Sequence, residues 1–196
     1  SDIVARNRVL RQINPDEDEV RTNHFEVRSI HPGYSTLDRF LIKNQEQLTV
    51  DDRALIATSF LTTVSQLHQA RVTHRDLGPR AIWLRSHSDH AMTGFMSCQL
   101  PDQGSVVDWL DELRGYSSHF PIDLFAGATT GFCRDVRACT AVVSLILSGE
   151  VPLDRAAQNS VDALPRELRD IGVWIRKGFL DADQGGFRDV SDALAE

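Results

Sequence analysis

Residues 73–84 read THRDLGPRAIWL, and the segments on either side of them indicate the fold. His74, Arg75 and Asp76 stand together, and a short polar turn leads from them into the apolar run 81–84. The preceding residues, 49–70, predict a long helix, because apolar side chains recur at helical spacing and Thr49 can cap the first turn. Residues 81–85 and 91–96 are short and mostly apolar, as is typical of strands. The stretch is therefore expected to be a polar loop between a long helix and two strands.

The rest of the chain predicts a mostly helical domain with a few short strands. Residues 135–150 are apolar nearly all round, which predicts a buried helix that ends at Gly149. Further segments predict helices, because their apolar residues recur at helical spacing or because a capping residue precedes them. One segment alternates between apolar and polar residues and so predicts a strand. The helices are expected at 3–13, 35–42, near 105–113, at 164–180 and at 187–196, and the strand at 24–30.

Composition limits the classes of function. The chain has 196 residues and a formal net charge of −7, which argues against nucleic acid or an anionic membrane as the main partner. No apolar run is long enough to predict a membrane span. Cys98, Cys133 and Cys139 form no CxxC pair, and an odd count without a secretion signal favours reduced thiols and a cytoplasmic location.

In order and spacing, these segments resemble the protein kinase fold, in particular the large lobe of bacterial Ser/Thr kinases. The loop at 73–84 resembles the catalytic loop, and DVRACTAVVSLILSGEVP at 135–152 resembles the buried central helix of that lobe. GGFRDVSDALAE at 185–196 resembles the closing arginine-containing motif, and VLRQINP at 9–15 the end of the first small-lobe helix. The resemblance implies a remnant of the small lobe and hinge at 1–34 and a helical large lobe at 35–196, with most of the small lobe missing.

Several residues that the kinase reaction needs are replaced at the matching positions. Kinases orient the acceptor hydroxyl with an aspartate, here Asp76, and hold magnesium with an asparagine and a second aspartate. The asparagine position is Ala81 and the second aspartate position is Gly94, so neither offers a metal ligand. Arg6 stands where the family has the glutamate that pairs with the nucleotide-holding lysine, and neither that lysine nor a glycine-rich loop is evident. The resemblance therefore implies a degraded catalytic site, with Asp76 vestigial.

Other positions keep the residues that organise the family's scaffold. By resemblance, Asp135 is the central-helix carboxylate that ties down the backbone of the loop near His74 and Arg75. Phe95 and His74 are expected to stack in an internal apolar column, so we expect a structural role for both.

One further pair of residues is expected to stabilise the fold. The resemblance places Asp123 and Arg188 as a buried carboxylate–guanidinium pair, whose disruption by removing one partner would be costly.

Trp83 stands where the family has the leucine under the adenine ring. An indole is far larger than an isobutyl group, so Trp83 could fill the nucleotide pocket with protein. Alternatively it packs in ordinary core, as a tryptophan in an apolar strand commonly does. The sequence leaves both interpretations open.

The resulting expectation is a pseudokinase, a catalytically inactive kinase-like domain that binds a protein partner or other domains of a longer chain. No cofactor or metal is expected under this interpretation. The alternative is a Ser/Thr protein kinase that uses ATP and magnesium with atypical metal handling, or a fragment of a longer kinase. His87, Asp89 and His90 lie in a predicted hairpin turn, where two histidines rarely suffice for a metal site.

Overall fold

The computed structural model describes residues 33–93, 98–100, 104–105, 119–120, 125, 128, 130–149 and 171–196. The chain divides into two units, Ser1–Tyr34 and Ser35–Glu196, and every element described below belongs to the second. The segments predicted at 3–13 and 24–30 lie outside the described residues, as does nearly all of 105–113.

The second unit is mostly helical with a small antiparallel sheet, as the sequence predicts. Its helices are α1 (Leu37–Asn44), α2 (Val50–Gln69), α3 (Gly131–Ser148), α4 (Ile171–Gly178) and α5 (Val190–Ala195), with a 3-10 turn at Ala182–Gln184. The strands β1 (Ser35–Thr36), β2 (Ile82–Ser86) and β3 (Asp89–Met92) pair antiparallel in the order β1-β2-β3, and β4 (Gln99–Leu100) pairs with β5 (Gly104–Ser105). No helix in these described ranges is long and apolar enough to cross a bilayer.

Helix α2 has the bounds that its capping residues predict. The Thr49 hydroxyl accepts a hydrogen bond from the Asp52 amide at 3.2 Å, and the Asp52 carboxylate accepts one from the Thr49 amide at 2.9 Å. This capping box satisfies two amides that a helix start leaves without partners. At the other end, Arg71 takes a left-handed φ of 60°, and the Val72 amide donates to the Leu67 carbonyl at 2.9 Å. The chain therefore turns sharply from α2 into the loop.

Helix α3 is buried, as predicted, but it begins at Gly131, four residues earlier than expected. The Thr130 hydroxyl accepts a hydrogen bond from the Cys133 amide at 3.1 Å and so caps the helix. The predicted end is correct, because Gly149 follows the last turn with a φ of 82°, a region that glycine enters without steric cost.

The core lies where α2 packs against α3 and α5. Nearly all of the apolar side chains that α2 was predicted to bury are buried, among them Ile56, Phe60 and Val64. The sheet covers this core with one face, since Ile82 and Leu84 of β2 are buried while Trp83 between them is half-buried. The loop at 70–81 is thus held between the long helix and the sheet.

Candidate functional site

The candidate site is the loop that joins α2 to β2. Two backbone hydrogen bonds hold the end of this loop that leads into β2. The Thr93 amide, after β3, donates to the Ala81 carbonyl at 2.7 Å, and the Leu37 amide, at the start of α1, donates to the Pro79 carbonyl at 3.0 Å. Arg75, in the middle of the loop, has a φ of 68°, which costs a non-glycine residue free energy unless surrounding contacts hold it.

Asp135 of α3 provides those contacts. Its carboxylate is fully buried and accepts hydrogen bonds from the amides of His74 and Arg75, both at 2.6 Å. The two hydrogen bonds that we expected from the sequence are therefore present. Hydrogen bonds from amides to a buried carboxylate are stronger than neutral ones, so Asp135 fixes the path of the loop.

His68, near the end of α2, completes the support of Asp135. Its Nδ1 accepts a hydrogen bond from the Val190 amide at 3.1 Å, so Nε2 carries the proton that it donates to the Asp135 carboxylate, also at 3.1 Å. This role of His68 was not predicted, although His68 lies four residues after the buried Val64 on the apolar face of α2. That position was the one signal that could have indicated a buried histidine.

His74 is also buried and bonded at both ring nitrogens. Its Nδ1 accepts from the Asp76 amide at 3.3 Å, and its Nε2 donates to the Thr93 carbonyl at 2.7 Å. The ring therefore links the loop to the residue that follows β3. Phe95, its expected partner, lies outside the described residues.

Asp76 is half-buried and has charged neighbours that the sequence did not indicate. Arg134 of α3 donates from Nε to the Arg75 carbonyl at 2.7 Å. Burial lowers the pKa of Arg134, and the negative charge of Asp76 acts in the opposite direction. Burial likewise lowers the pKa of His119, again opposed by Asp76. The Asp76 carboxylate thus lies within electrostatic range of one guanidinium and one imidazole.

His119 lies directly against the loop. A Cβ added to Gly78 would come within 2.2 Å of the Cβ of His119, so only glycine permits this close approach. Nothing in the spacing of the sequence indicated that these two residues touch.

Ala81 and Trp83 follow the loop. By resemblance, they stand at the positions of the metal-binding asparagine and of the leucine under the adenine ring. Ala81 is buried, and its amide donates to the Gly78 carbonyl at 2.9 Å, so this position offers only a methyl group. Trp83 lies on the face of β2 opposite the core, and its Nε1 donates to the Thr93 hydroxyl at 3.2 Å. Trp83 is therefore not among the described residues that form the buried core.

The expected burial of Arg188 is also wrong. Its side chain is 79% exposed and bonds to Asp192 within the last helix. Its expected partner, Asp123, lies outside the described residues, together with Arg6 and Gly94. A guanidinium is nevertheless buried in the core, since Arg137 of α3 is 1% exposed and pairs with Asp181. This pair was not predicted, because Arg137 lies in a helix whose sequence is mostly apolar.

The residues of the hairpin turn face different neighbours. His87 bonds through Nδ1 to Asp52 at 2.9 Å, and Asp89 pairs with Arg85. His90 bonds through Nδ1 to the Ser59 hydroxyl at 3.1 Å and through Nε2 to that of Thr63 at 2.8 Å. Within the ranges that the structure describes, no group of three His, Cys, Asp or Glu side chains could hold a metal ion.

No protein-family model and no curated protein matches this chain. What it does must therefore be inferred from its own residues.

Proposed function

We propose that this chain is a catalytically inactive kinase-like domain that serves as a protein-binding or regulatory module. The observation that carries the proposal is the construction of the loop. Asp135 holds the backbone of His74 and Arg75 at 2.6 Å, while Ala81 presents a methyl group where the resembling kinases have a metal-binding asparagine. Hydrogen bonds to a buried carboxylate thus fix the backbone of the loop, but the Ala81 side chain offers no atom that could bind the metal.

The kinase-like fold is supported by the sequence of elements around the loop. A long helix, a loop held by a buried carboxylate, a short hairpin and a buried helix follow one another along the chain, as the resemblance implies. Two late helices, α4 and α5, then close the core against α2 and α3.

The loss of activity is supported by chemistry. Phosphoryl transfer depends on positioning and on neutralising charge with magnesium. Ala81 and Gly94 replace both expected magnesium ligands, and Arg6 replaces the glutamate that positions the lysine. No ATP or metal is therefore expected to serve as a cofactor.

The partner that we propose is a protein or another domain of a longer chain. A net charge of −7 makes nucleic acid an unsuitable partner. A cytoplasmic location belongs to the same proposal, supported by the thiols of Cys98, Cys133 and Cys139, none of which forms a disulfide.

Calorimetric titration with ATP tests the proposal, with and without magnesium. We expect no magnesium-dependent binding in the micromolar range. Asp76→Asn serves as the matched variant, and it should change neither the titration nor the melting temperature. Magnesium-dependent binding that is micromolar in the wild type would contradict the proposal.

One observation favours the alternative of a Ser/Thr protein kinase with atypical metal handling, or of a fragment of a longer kinase. Asp76 is retained, and it is half-buried rather than sealed in the core. In a phosphotransfer assay with magnesium or manganese, this alternative predicts activity that Asp76→Asn abolishes while the melting temperature is unchanged. Absence of phosphotransfer in the wild type would favour the inactive module.

A further inference from the structure

An open pocket of about 490 Å³ lies where the end of α2 meets the first turns of α3 and α5. Its volume is in the range of pockets that bind small molecules. The residues that line it include Gln69 and Arg71 from the end of α2, Phe132 from α3, and Arg188 and Asp189 from the start of α5. Asp76 and the other residues at the tip of the loop are not among them.

The wall of this pocket is held in place by contacts between the three helices. His68, which also lines it, is buried, and both of its ring nitrogens are bonded, to Asp135 and to the Val190 amide. The Phe132 ring meets the His68 ring edge-on at 4.8 Å between centroids. The pocket is therefore formed before any ligand arrives.

Two arginines and one aspartate are among the residues that line the pocket. Arg71 and Arg188 are both exposed, and among the described residues no hydrogen bond or ion pair is found for the Arg71 side chain. The Arg188 guanidinium bonds to Asp192 at 3.4 Å, a long and exposed contact that a ligand can replace at little cost. The Asp189 carboxylate caps α5 by accepting a hydrogen bond from the Asp192 amide at 2.9 Å. The lining residues thus carry two positive charges and one negative charge, and Asp192, which bonds to Arg188, places a second negative charge beside them.

The backbone at Arg71 gives an independent reason to assign a role to this side chain. Arg71 has a φ of 60° and follows the last turn of α2, with its amide donating to the His68 carbonyl at 2.9 Å. Glycine is the usual residue at such a helix end, because a side chain there costs free energy. An arginine at this position is strained without being buried, and binding an anion would account for it.

We propose that this pocket binds a small organic phosphate that carries a flat apolar group. Arginine suits phosphate because its planar donors pair with two oxygens at once. Phe132 contributes an aromatic face beside the two arginines, against which the apolar part of the ligand packs.

Amide chemical shifts in a titration with phenyl phosphate test the proposal, with inorganic phosphate as the second probe. Saturable shifts are expected at Gln69, Phe132 and Ser191, and phenyl phosphate should bind more tightly than inorganic phosphate. Equal affinity for the two probes would overturn the role of the aromatic face, and absence of saturable shifts at millimolar phenyl phosphate would overturn the site.

The variant Arg71→Gly tests the role of the Arg71 side chain in binding without disturbing the fold. Glycine suits a φ of 60°, so the melting temperature should stay equal or rise, while affinity for phenyl phosphate falls by roughly tenfold or more. Arg188→Gln should also weaken binding. Arg39→Ala, at an exposed position on α1, removes the same charge elsewhere and should leave the affinity unchanged. Wild-type affinity in Arg71→Gly, or an equal loss in Arg39→Ala, would overturn the proposal.

Discussion

At the scale of single residues, the loop depends on buried polar groups that satisfy one another. Asp135 accepts hydrogen bonds from two loop amides and from His68, whose ring is in turn held by the Val190 amide. A buried donor that loses its acceptor costs more free energy than an ordinary hydrogen bond contributes. The stability of the loop is therefore expected to be concentrated in this carboxylate.

Replacing Asp135 with alanine should lower the free energy of unfolding by roughly 2–5 kcal/mol, because two buried donors and one half-buried donor lose their acceptor. Chemical denaturation monitored by circular dichroism measures this. Asp183→Ala, at an exposed position in the 3-10 turn, is the control and should change the free energy by no more than about 0.5 kcal/mol. Equal effects of the two variants would show that the loop does not depend on Asp135.

The stability of the protein should also depend on the charge of His90. Burial lowers the pKa of His90 below its ordinary value of 6.5, with Asp89 acting in the opposite direction. The unfolded chain then binds a proton more readily than the folded chain, so the free energy of unfolding should fall as the pH drops below 6.5, until the folded-state pKa is passed.

Denaturation at a series of pH values from about 7 to about 5 measures this dependence. His90→Gln keeps a group that can bond to Ser59 and Thr63 but does not titrate, and it should flatten the curve. His119, whose pKa is also lowered by burial, should leave a dependence of the same sign. A curve that His90→Gln leaves unchanged would contradict the assignment.

At the scale of elements, one contact between two helices requires a residue that has no side chain. Gly178, at the end of α4, lies against Thr140 of α3, and a Cβ added at Gly178 would come within 2.1 Å of the Thr140 hydroxyl oxygen. The contact between α3 and α4 thus depends on the absence of a side chain at this position.

Gly178→Ala should therefore destabilise the fold by about 1–3 kcal/mol through overpacking. Thr140→Ala in the same chain removes the two side-chain atoms nearest the clash, so the double variant should recover part of the loss. A double-mutant cycle of melting or denaturation curves measures the coupling. If the two effects simply add, the close approach is not what makes Gly178 necessary.

At the scale of the whole molecule, the last helix holds distant parts of the core together. Helix α5 has only six residues, yet Val190 is fully buried and its amide supports His68. The Ala193 carbonyl accepts a hydrogen bond from Trp174 Nε1 at 2.7 Å, which ties α5 to α4 as well.

Removing residues 189–196 should accordingly abolish cooperative unfolding, since α2 would lose the helix packed against it and His68 would lose its donor. Thermal unfolding followed by circular dichroism measures this. The matched control is Glu196→Ala in the full chain, which removes only an exposed pair with Lys177 and should leave the transition unchanged. A sharp transition in the shortened chain would show that α2 and α3 form a core without α5.

The sequence by itself determined the elements whose signals are local. The bounds of α2 follow from Thr49 and Asp52 at its start and from its apolar stripe, and the end of α3 follows from Gly149. The loop that follows α2 could be placed for the same reason, and its resemblance to a catalytic loop predicted the two hydrogen bonds that the Asp135 carboxylate accepts. The helix bounds depend on residues close together in the chain, where propensity and spacing carry the information. The hydrogen bonds to Asp135 join residues 60 and 61 positions apart, and it was the resemblance that predicted them.

Only the tertiary structure decided which distant side chains meet. His68 and Asp135 are 67 positions apart, and His68 and Val190 are 122 apart, so no periodic pattern relates them. The burial of Arg137 and the exposure of Arg188 likewise depend on how α3, α5 and the 3-10 turn pack, because either arginine can be solvated or paired at the level of the sequence. The pocket beside Arg71 exists because three helix ends converge, and that convergence is a property of packing rather than of any one segment.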